Sequence, residues 1–467
     1  MAKIRLTADM LARPNPYARL KLTHPKVKEL AERYAKWKGI KVDDITLTPP
    51  TIRLGWLRLS ASESKNSRLR KRAETERRIK MESIIERNKR IGADAKRNAF
   101  ISKQHLPYDL KKQHAAIRAR EFVDLCNEHG KNYHVSVGGL DSITLFLFLH
   151  SIGIRCPGVS ASYLEDRGNQ AVHRALGIIS VVPVKNKDGK TYTKTSVIQE
   201  FGFPVLSKEI AAKIELLQNP SEKNATVRHA IITGETGEYG GNRKNTRMKM
   251  SQKWLEKFGG YENENEGVNY GTPDFKVSSK CCYYLKEKPC DIWAKEHDSV
   301  PFVGLMASEG GRRQKSLMVN GCNYWSEGTQ RSAPFAIFNR QDILKLALEM
   351  DKYYHEHWKE FGDEEIASII PTAYGEIATD ANGNLYTTKA QRTGCSMCGF
   401  GIHLEKRPHR FDYKYIDNPK EWNYLMFSMC KDEKGESYGW SKVLDYIGVD
   451  WRPETNPLCM KKSEDKQ

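Results

Sequence analysis

Four of the ten cysteines in the chain occur at spacings that could hold a metal group. Cys281 and Cys282 are adjacent, and Cys395 and Cys398 form a CxxC pair far downstream. Zinc sites usually take two pairs spaced CxxC or wider, because both sulfurs of a pair must reach one small ion. Adjacent cysteines suit a cluster in which each thiolate binds a different iron, and four thiolates complete a [4Fe–4S] ligand set. The spacing predicts such a cluster, with zinc or buried free thiols as alternatives.

A glycine-rich turn is a second place where chemistry could occur. The segment SVGGLDS runs from Ser136 to Ser142, between a predicted strand and a predicted helix. Gly138 and Gly139 let the backbone approach a ligand closely, and N–H groups at a helix start attract phosphate. Ser142 adds a hydroxyl donor, while Asp141 could cap the helix or orient a metal ion. The segment predicts a phosphate loop, with an ordinary tight turn as the alternative.

Strands and helices alternate around this turn. We predict strands at Tyr133–Val137, Val181–Val184 and Pro301–Met306, and helices at 109–128, Ser142–His150, Lys208–Leu217 and Gln341–Met350. This alternation predicts an α/β fold, an open and mostly parallel sheet with helices on both faces. The stretch 233–272 is expected to be an insertion or a mobile loop, and the polar tail 453–467 to be disordered.

Composition excludes several classes of protein. The 467 residues, 39% of them hydrophobic, are enough for two or three domains with cores. No apolar run approaches the roughly 20 residues of a membrane span, so no membrane partner is expected. The N-terminus has no apolar leader segment, and the ten cysteines are too few for a disulfide scaffold. We therefore expect a cytoplasmic protein.

Positive charge is concentrated near the N-terminus. Residues 1–100 carry 26 Lys and Arg against 11 Asp and Glu, a net charge of +15, while the other 367 residues contribute only +3. Such asymmetry points to a polyanion partner, which makes nucleic acid the expected ligand of a basic, mainly helical region 1–100.

One long polar helix is predicted from Ser62 to about Ile91. Its cations exceed its acids, which favours contact with nucleic-acid phosphates. The alternative is a solvated helix held by i,i+4 ion pairs such as Glu74 with Arg78. The nominated nucleic-acid contacts are Arg68, Arg70, Lys71, Arg72, Arg77 and Arg78.

Further motifs follow the glycine-rich turn in a fixed order. They are Gly202–Glu209 (GFPVLSKE), Ser279–Cys282 (SKCC), Met306–Glu309 (MASE) with Arg313, Gly321–Asn323 (GCN), and Arg392–Cys398 (RTGCSMC) leading into Phe400–Glu405. With SVGGLDS as a PP-loop, these blocks resemble the phosphoadenosine phosphosulfate reductase family of adenine-nucleotide alpha-hydrolase-like proteins. The resemblance covers about residues 105–452 and does not extend to residues 1–100.

The resemblance implies a fold, a nucleotide and a ligand set. In this family an open α/β sheet carries nucleotide phosphates at the PP-loop, and a CC…CxxC quartet in assimilatory adenylylsulfate reductases holds a [4Fe–4S] cluster. The quartet maps onto the four cysteines named above. ATP or a related adenine nucleotide, with or without Mg²⁺, is the implied ligand, and Asp141 is the catalytic candidate. The nominated nucleotide contacts are Ser136, Gly138, Gly139, Asp141, Ser142, Lys208, Arg313 and Arg392.

The chain also departs from the family pattern. Val137 stands where the family has its first Ser, and Leu140 stands where many members have Lys. Losing a hydroxyl and a cation is expected to weaken phosphate binding. The catalytic E-C-G-[IL]-H motif of sulfate reductases is absent from the sequence, and Cys459 lacks its flanking residues. Sulfonucleotide reduction is therefore disfavoured.

Two functions are favoured over sulfonucleotide reduction. The first is an enzyme of the ATP pyrophosphatase or sulfurtransferase type, which activates a DNA or tRNA substrate by adenylation or transfers sulfur to it from a donor. The second is a non-catalytic component that binds nucleotide or nucleic acid within a larger complex, such as a phage or defence-system assembly. The altered PP-loop favours the second function, and the basic N-terminal region favours a nucleic-acid ligand in both.

Overall fold

The computed structural model describes residues 4–6, 45–47, 94–263, 268–391 and 394–464. The chain divides into two compact units, Met1–Arg87 and Asn88–Gln467. In the first unit the described residues form two parallel strands, β1 (Ile4–Leu6) and β2 (Ile45–Leu47). The predicted long helix lies outside the described residues, as do Arg68, Arg70, Lys71, Arg72, Arg77 and Arg78.

Helices make up much of the second unit, beginning with residues 94–104. The helix α8 has three consecutive parts: Lys280–Cys282, the π-helical segment Tyr283–Glu287, and Lys288–Glu296. The other helices are α1 (Tyr108–Glu128), α2 (Leu140–Ser151), α3 (Arg167–Ala175), α4 (Lys194–Phe201), α5 (Lys208–Gln218), α6 (Ala225–Thr233), α7 (Gln252–Phe258), α9 (Gly311–Asn320), α10 (Arg340–His357), α11 (Arg410–Asp417), α12 (Pro419–Phe427), α13 (Trp440–Ile447) and α14 (Pro457–Glu464).

The strands of this unit are short. They are β3 (Asn132–Ser136), β4 (Gly158–Ser160), β5 (Ile179–Ser180), β6 (Tyr261–Asn263), β7 (Val268–Tyr270), β8 (Ser299–Val303), β9 (Asn323–Ser326), β10 (Thr329–Ser332), β11 (Ile377–Thr379), β12 (Leu385–Thr387), β13 (Cys430–Lys431) and β14 (Ser437–Tyr438). Six of them form a central sheet in the order β5-β4-β3-β8-β10-β9. Only the β9–β10 pair in this sheet is antiparallel.

The order of the strands in the central sheet reverses beside β3. The chain runs from β3 outward to β4 and β5, and it later returns to place β8 on the opposite side of β3. In open α/β sheets, ligands bind at such a reversal, outside the carboxyl ends of the strands. The loop that links β3 to α2 lies at this point. It is the central part, residues 137–139, of the predicted phosphate loop.

The α/β class is confirmed, as a mixed and mostly parallel sheet with helices. Most predicted elements lie within a few residues of observed ones. The helix predicted at Ser142–His150 lies inside α2, whose residues from Ile143 to Leu149 are all buried. A helix that is apolar on all sides is expected in the interior, and α2 packs between the sheet and α10.

The predicted strand Val181–Val184 is wrong. The strand is β5, two residues earlier, and it pairs with β4 through Ile179 and Ser180. Pro183 has no N–H to donate to a ladder, and Val182 is 82% exposed. The β-branched residues therefore did not determine the position of the strand.

The described parts of 233–272 are not a loop without secondary structure. They contain α7 and the antiparallel β6–β7 hairpin. Trp254, Leu255 and Phe258 are buried, because their spacing gives α7 an apolar face. The prediction that the tail is disordered is wrong for residues 457–464, since α14 begins at Pro457, a favoured first residue of a helix. Residues 465–467 lie outside the described part.

Two hydrophobic clusters meet at the predicted site. The first includes Val137, Phe302 and Met306, and it lies around the central sheet. The second contains Cys281 and Trp440, and it joins α4, α5 and α7 to the C-terminal helices. The phosphate loop therefore extends from one cluster and the cysteines from the other. Within the described residues, no helix is both long and apolar enough to cross a membrane.

Gly399 provides a test of the packing beside the CxxC pair. A Cβ at this position would lie 2.4 Å from the ring of Trp440, which is fully buried, and 2.8 Å from the carbonyl oxygen of Pro204. We predict that Gly399→Ala lowers the free energy of unfolding by about 1–3 kcal/mol, as overpacking does. The measurement is the urea midpoint. Gly394→Ala is the matched control, because its Cβ would meet no atom within 4 Å, and equal midpoints for the two variants would contradict the prediction.

Candidate functional site

The phosphate loop is held largely by hydrogen bonds within the protein. The hydroxyl of Ser142 accepts from the N–H of Gly138 at 2.7 Å and donates to the carbonyl of Gly139 at 2.9 Å. The N–H of Leu140 donates to the hydroxyl of Tyr374 at 3.1 Å. The hydroxyl of Ser142, which was predicted to contact phosphate, thus fixes the shape of the loop.

Asp141 of the loop forms an ion pair with Arg340. Its Oδ1 lies 2.8 Å from Nη1 of Arg340, whose Nη2 donates to the carbonyl of Gln391 at 3.0 Å. The prediction that Asp141 caps α2 is wrong, because the cap residue is Gly139 and makes no side-chain bond. A cavity of about 350 Å³ opens here, lined in part by Asp141, Ser308, Arg340, Leu344 and Tyr386.

A second ion pair, between Lys286 and Glu165, lies against Gly138 of the loop. Nζ of Lys286 lies 2.5 Å from Oε1 of Glu165, whose side chain is only 1% exposed. A Cβ added to Gly138 would lie 3.3 Å from this Nζ and 3.6 Å from this Oε1. Burial acts to lower the pKa of Lys286, but Glu165 and then Cys395 more than offset it, so the pKa is raised. Lys286 is therefore a cation beside the phosphate loop.

His173 holds the loop through a hydrogen bond to Gly138. Its Nε2 lies 2.8 Å from the carbonyl oxygen of Gly138, and its Nδ1 lies 2.8 Å from the hydroxyl of Ser162. Burial lowers the pKa of His173, which favours the neutral ring. Because a carbonyl only accepts, we assign the proton to Nε2, and Nδ1 then accepts from Ser162. This arrangement fixes the carbonyl of Gly138.

The fold brings the four predicted cysteine ligands together. Cys281 and Cys282 are in the first part of α8, and the Cys395–Cys398 turn is closed by a 3.0 Å bond from the N–H of Cys398 to the carbonyl of Cys395. Met397 adopts a φ of +51° in this turn. The thiol of Cys281 lies within electrostatic range of the other three. Among the described residues, no three His, Cys, Asp or Glu side chains are placed as ligands of one metal ion.

Burial favours the protonated form of the Cys281 and Cys395 thiols. It raises the pKa of Cys281 to about 12 and that of Cys395 to about 11, because a buried thiolate is poorly solvated. Lys194 acts against this shift at Cys281, and Lys286 acts against it at Cys395. Metal binding must therefore displace protons, which nearby cations favour.

Lys194 is a buried cation close to the cysteines. Its Nζ is buried and has no hydrogen-bond partner in the described part of the chain, and its charge acts on Cys281 and Cys395. A buried ammonium without a partner is costly. Lys208 contacts both Cys282 and Glu287. Four thiols within a group of cations fit a [4Fe–4S] cluster, whose thiolate ligands bring negative charge.

Two of the nominated nucleotide contacts, Lys208 and Arg313, contact other side chains. Lys208 lies beside Cys282 rather than beside the phosphate loop. Arg313, in α9, forms an ion pair with Glu309 and is half exposed. Ser136 is the last residue of β3, and Arg392 lies outside the described residues.

Sequence reasoning missed five residues of this site. Lys286 follows Cys282 by four positions on a helix, a spacing that could have identified it. The other four carry no recognisable motif, because only the fold brings them to the loop or to the cysteines. They are Glu165, His173, Lys194 and Arg340.

Comparison with protein-family models, with curated proteins and with solved structures finds no match to this chain.

Proposed function

We propose that the protein is a PP-loop enzyme that binds an adenine nucleotide and a [4Fe–4S] cluster, and that it adenylates a nucleic acid or transfers sulfur to it. The observation that carries this proposal is the continuity of the site. Gly138 of the loop lies against the ion pair of Lys286 and Glu165, and the charge of Lys286 acts on Cys282 and Cys395. Nucleotide and cluster would therefore act at one centre.

Cys281, Cys282, Cys395 and Cys398 would hold the cluster. When bound, such a cluster supplies electron transfer or sulfur delivery. Lys194 would place its unpartnered ammonium near the thiolates, and Lys208 would remain in contact with Cys282. Both lysines would stabilise the deprotonated ligands, since opposite charges favour the charged form of a group.

The nucleotide would lie across the phosphate loop. Its phosphates would approach Gly138 and Gly139, and its nucleoside would occupy the 350 Å³ cavity beside Leu344 and Tyr386. This volume is typical of small-molecule sites. Arg340 would exchange its bond to Asp141 for a phosphate oxygen, which would free the carboxylate to bind Mg²⁺.

The chemistry would follow from these positions. A substrate oxygen would attack the α-phosphorus of ATP and release pyrophosphate, and a sulfur nucleophile would then displace AMP. Lys286 would neutralise charge that develops on the phosphates, because it lies against Gly138 and stays protonated. The net charge of +15 in residues 1–100 would attract the nucleic-acid substrate.

One observation favours a non-catalytic role instead. The hydroxyl of Ser142 and the N–H of Leu140 are bonded within the protein, and Asp141 is paired with Arg340. A loop whose polar groups are already engaged binds phosphate only by breaking those bonds. The second candidate is therefore a nucleotide- or nucleic-acid-binding component of a larger complex.

The cluster is tested by iron analysis of protein purified without oxygen. We predict about four irons per chain with labile sulfide. Cys281→Ser and Cys398→Ser should lower both the iron content and the melting temperature, because ligation energy contributes to folding. Cys459→Ser, in α14, is the control and should leave both unchanged. Stoichiometric zinc without labile sulfide would exclude the cluster.

Nucleotide binding is tested by calorimetry with ATP and Mg²⁺. We predict that the native protein binds and that Gly139→Val abolishes binding, because a branched side chain prevents close approach of phosphate to the backbone. Gly328→Ala is the control, since its Cβ would meet nothing within 4 Å. If millimolar ATP fails to bind the native protein, the non-catalytic role becomes the better explanation.

The basic region is tested by the salt dependence of duplex DNA binding to the full chain. Replacing four of its cations by Gln should reduce the magnitude of the log–log slope by about 3–4, at roughly 0.9 per phosphate contact. The four are Arg68, Arg70, Lys71 and Arg72. The control replaces four exposed lysines of the second unit: Lys187, Lys190, Lys352 and Lys434. Equal log–log salt slopes for the two variants would contradict the prediction that residues 1–100 bind nucleic acid.

A further inference from the structure

Two adjoining cavities lie over the cysteine site. The first has a volume of about 260 Å³, and its walls include Cys395, Lys389 and Arg410. The second has a volume of about 570 Å³, and its walls include Glu165 and Lys194. Both are lined by Asp166, Arg167, Ser396 and Lys414, so they form one depression, called here the cysteine groove.

Positive charge in the cysteine groove is only partly neutralised. Lys414 is paired with Glu421 at 2.5 Å, and Arg410 is paired with Glu405. Arg167 and Lys389 are exposed, and neither forms an ion pair with any described residue. These two cations are available to an anionic ligand.

The acids of the cysteine groove are largely engaged. Asp166 caps α3 by accepting from the N–H of Gly168 at 2.8 Å. Glu421 is bound to Lys414, and Glu165 is bound to Lys286. Asp417, which is exposed, lies at the end of α11. Among the lining groups without an ion pair to a described residue, the cations Arg167, Lys389 and Lys194 outnumber the carboxylates Asp166 and Asp417 by three to two.

Aromatic side chains accompany these cations. Tyr424 is 46% exposed and lines the second cavity, and Tyr413 lines the first. Grooves that combine cations with aromatic rings bind single-stranded nucleic acid, with phosphates on the cations and bases stacked on the rings. The second cavity, at about 570 Å³, has the volume of a small-molecule site, which suits unpaired nucleotides rather than a double helix.

We infer that the cysteine groove binds unpaired nucleotides of the nucleic-acid substrate, with phosphates at Arg167 and Lys389 and a base on Tyr424. This inference rests on the proposed function for its choice of nucleic acid, and it adds that the strand is single at the site. The groove leads such a strand past Cys395 and Glu165, which link it to the cysteines and to the phosphate loop. Residues 1–100, with a net charge of +15, would add a basic contact to a polymeric ligand.

The test uses the full-length, cluster-loaded protein and a labelled oligothymidylate of about 12 nucleotides. The double variant Arg167→Gln, Lys389→Gln should reduce the magnitude of the log–log salt slope by about 1.4, at roughly 0.7 per contact on a single strand. The charge-matched control replaces Lys352 and Lys434 together by Gln, two exposed lysines that do not line the groove, and should reduce the slope by less. An unchanged slope in the Arg167, Lys389 double variant would overturn the inference.

Tyr424 gives an independent measurement. Tyr424→Ala should weaken oligothymidylate binding about fivefold or more without changing the salt slope, and Tyr424→Phe should retain affinity, because stacking needs only the ring. A 4-thiothymidine oligonucleotide should crosslink to α11 or α12. Crosslinks confined to residues 1–100, or a duplex with the same dependence on Tyr424, would overturn the inference.

Two further readouts separate this inference from the proposed function. Iron content and ATP binding, measured on the same preparations, should be unchanged in the groove variants. If the native protein lacks both, the proposed function fails, whereas the oligonucleotide results still decide the groove inference. If the double variant loses binding of a polyglutamate peptide but not of oligothymidylate, the groove is a site for an acidic protein and the inference is overturned.

Discussion

The ion pair between Lys286 and Glu165 is the interaction on which the rest of the site depends. It joins α8 to the segment after β4, and therefore links the cysteine side of the molecule to the sheet side. The Glu165 carboxylate is almost fully buried, so it needs its cation, since an unpaired buried charge is far more costly than a paired one. A Cβ on Gly138 would lie 3.3 Å from Nζ of Lys286, so glycine lets the pair lie against the loop without a tight contact. One buried ion pair thus connects a helix, a loop residue and the cysteine side of the candidate site.

The loop side and the cysteine side of the site differ in how far their cations are paired. This difference affects how tightly each of the two proposed ligands would bind. On the loop side each carboxylate already has a cation, Asp141 with Arg340 and Glu165 with Lys286. A nucleotide would have to exchange these ion pairs, and the net gain from such an exchange is small. On the cysteine side, Lys194 lacks a hydrogen-bond partner among the described residues, so an anionic group there would satisfy a cation at little cost. We therefore expect the cysteine ligand to bind more tightly than the nucleotide.

The sequence predicted the parts of the fold that depend on local pattern. The strand and helix around the glycine-rich turn follow from periodicity, and the grouping of Cys281 with Cys395 was expected from the number and spacing of the cysteines. Parts that depend on distant contacts were not predictable in this way. The partners in the Lys286–Glu165 pair lie 121 positions apart, and neither belongs to a motif that specifies the other. The strand predicted at Val181–Val184 failed for a related reason, since backbone pairing with β4 placed the strand earlier in the chain.

The two departures from the family loop have a structural explanation. Val137 is buried in the cluster around the sheet, and its N–H donates to the carbonyl of Val159 at 2.8 Å. Leu140, the first residue of α2, is fully buried and packs against Leu344 and Ala347 of α10. A serine or a lysine at these positions would place a polar group in an apolar core, where burial without a partner is costly. The cations next to this loop come instead from other elements, Lys286 from α8 and Arg340 from α10. Loss of the usual polar residues therefore does not by itself imply loss of phosphate binding, but a phosphate would have to replace the carboxylates that pair with these two cations.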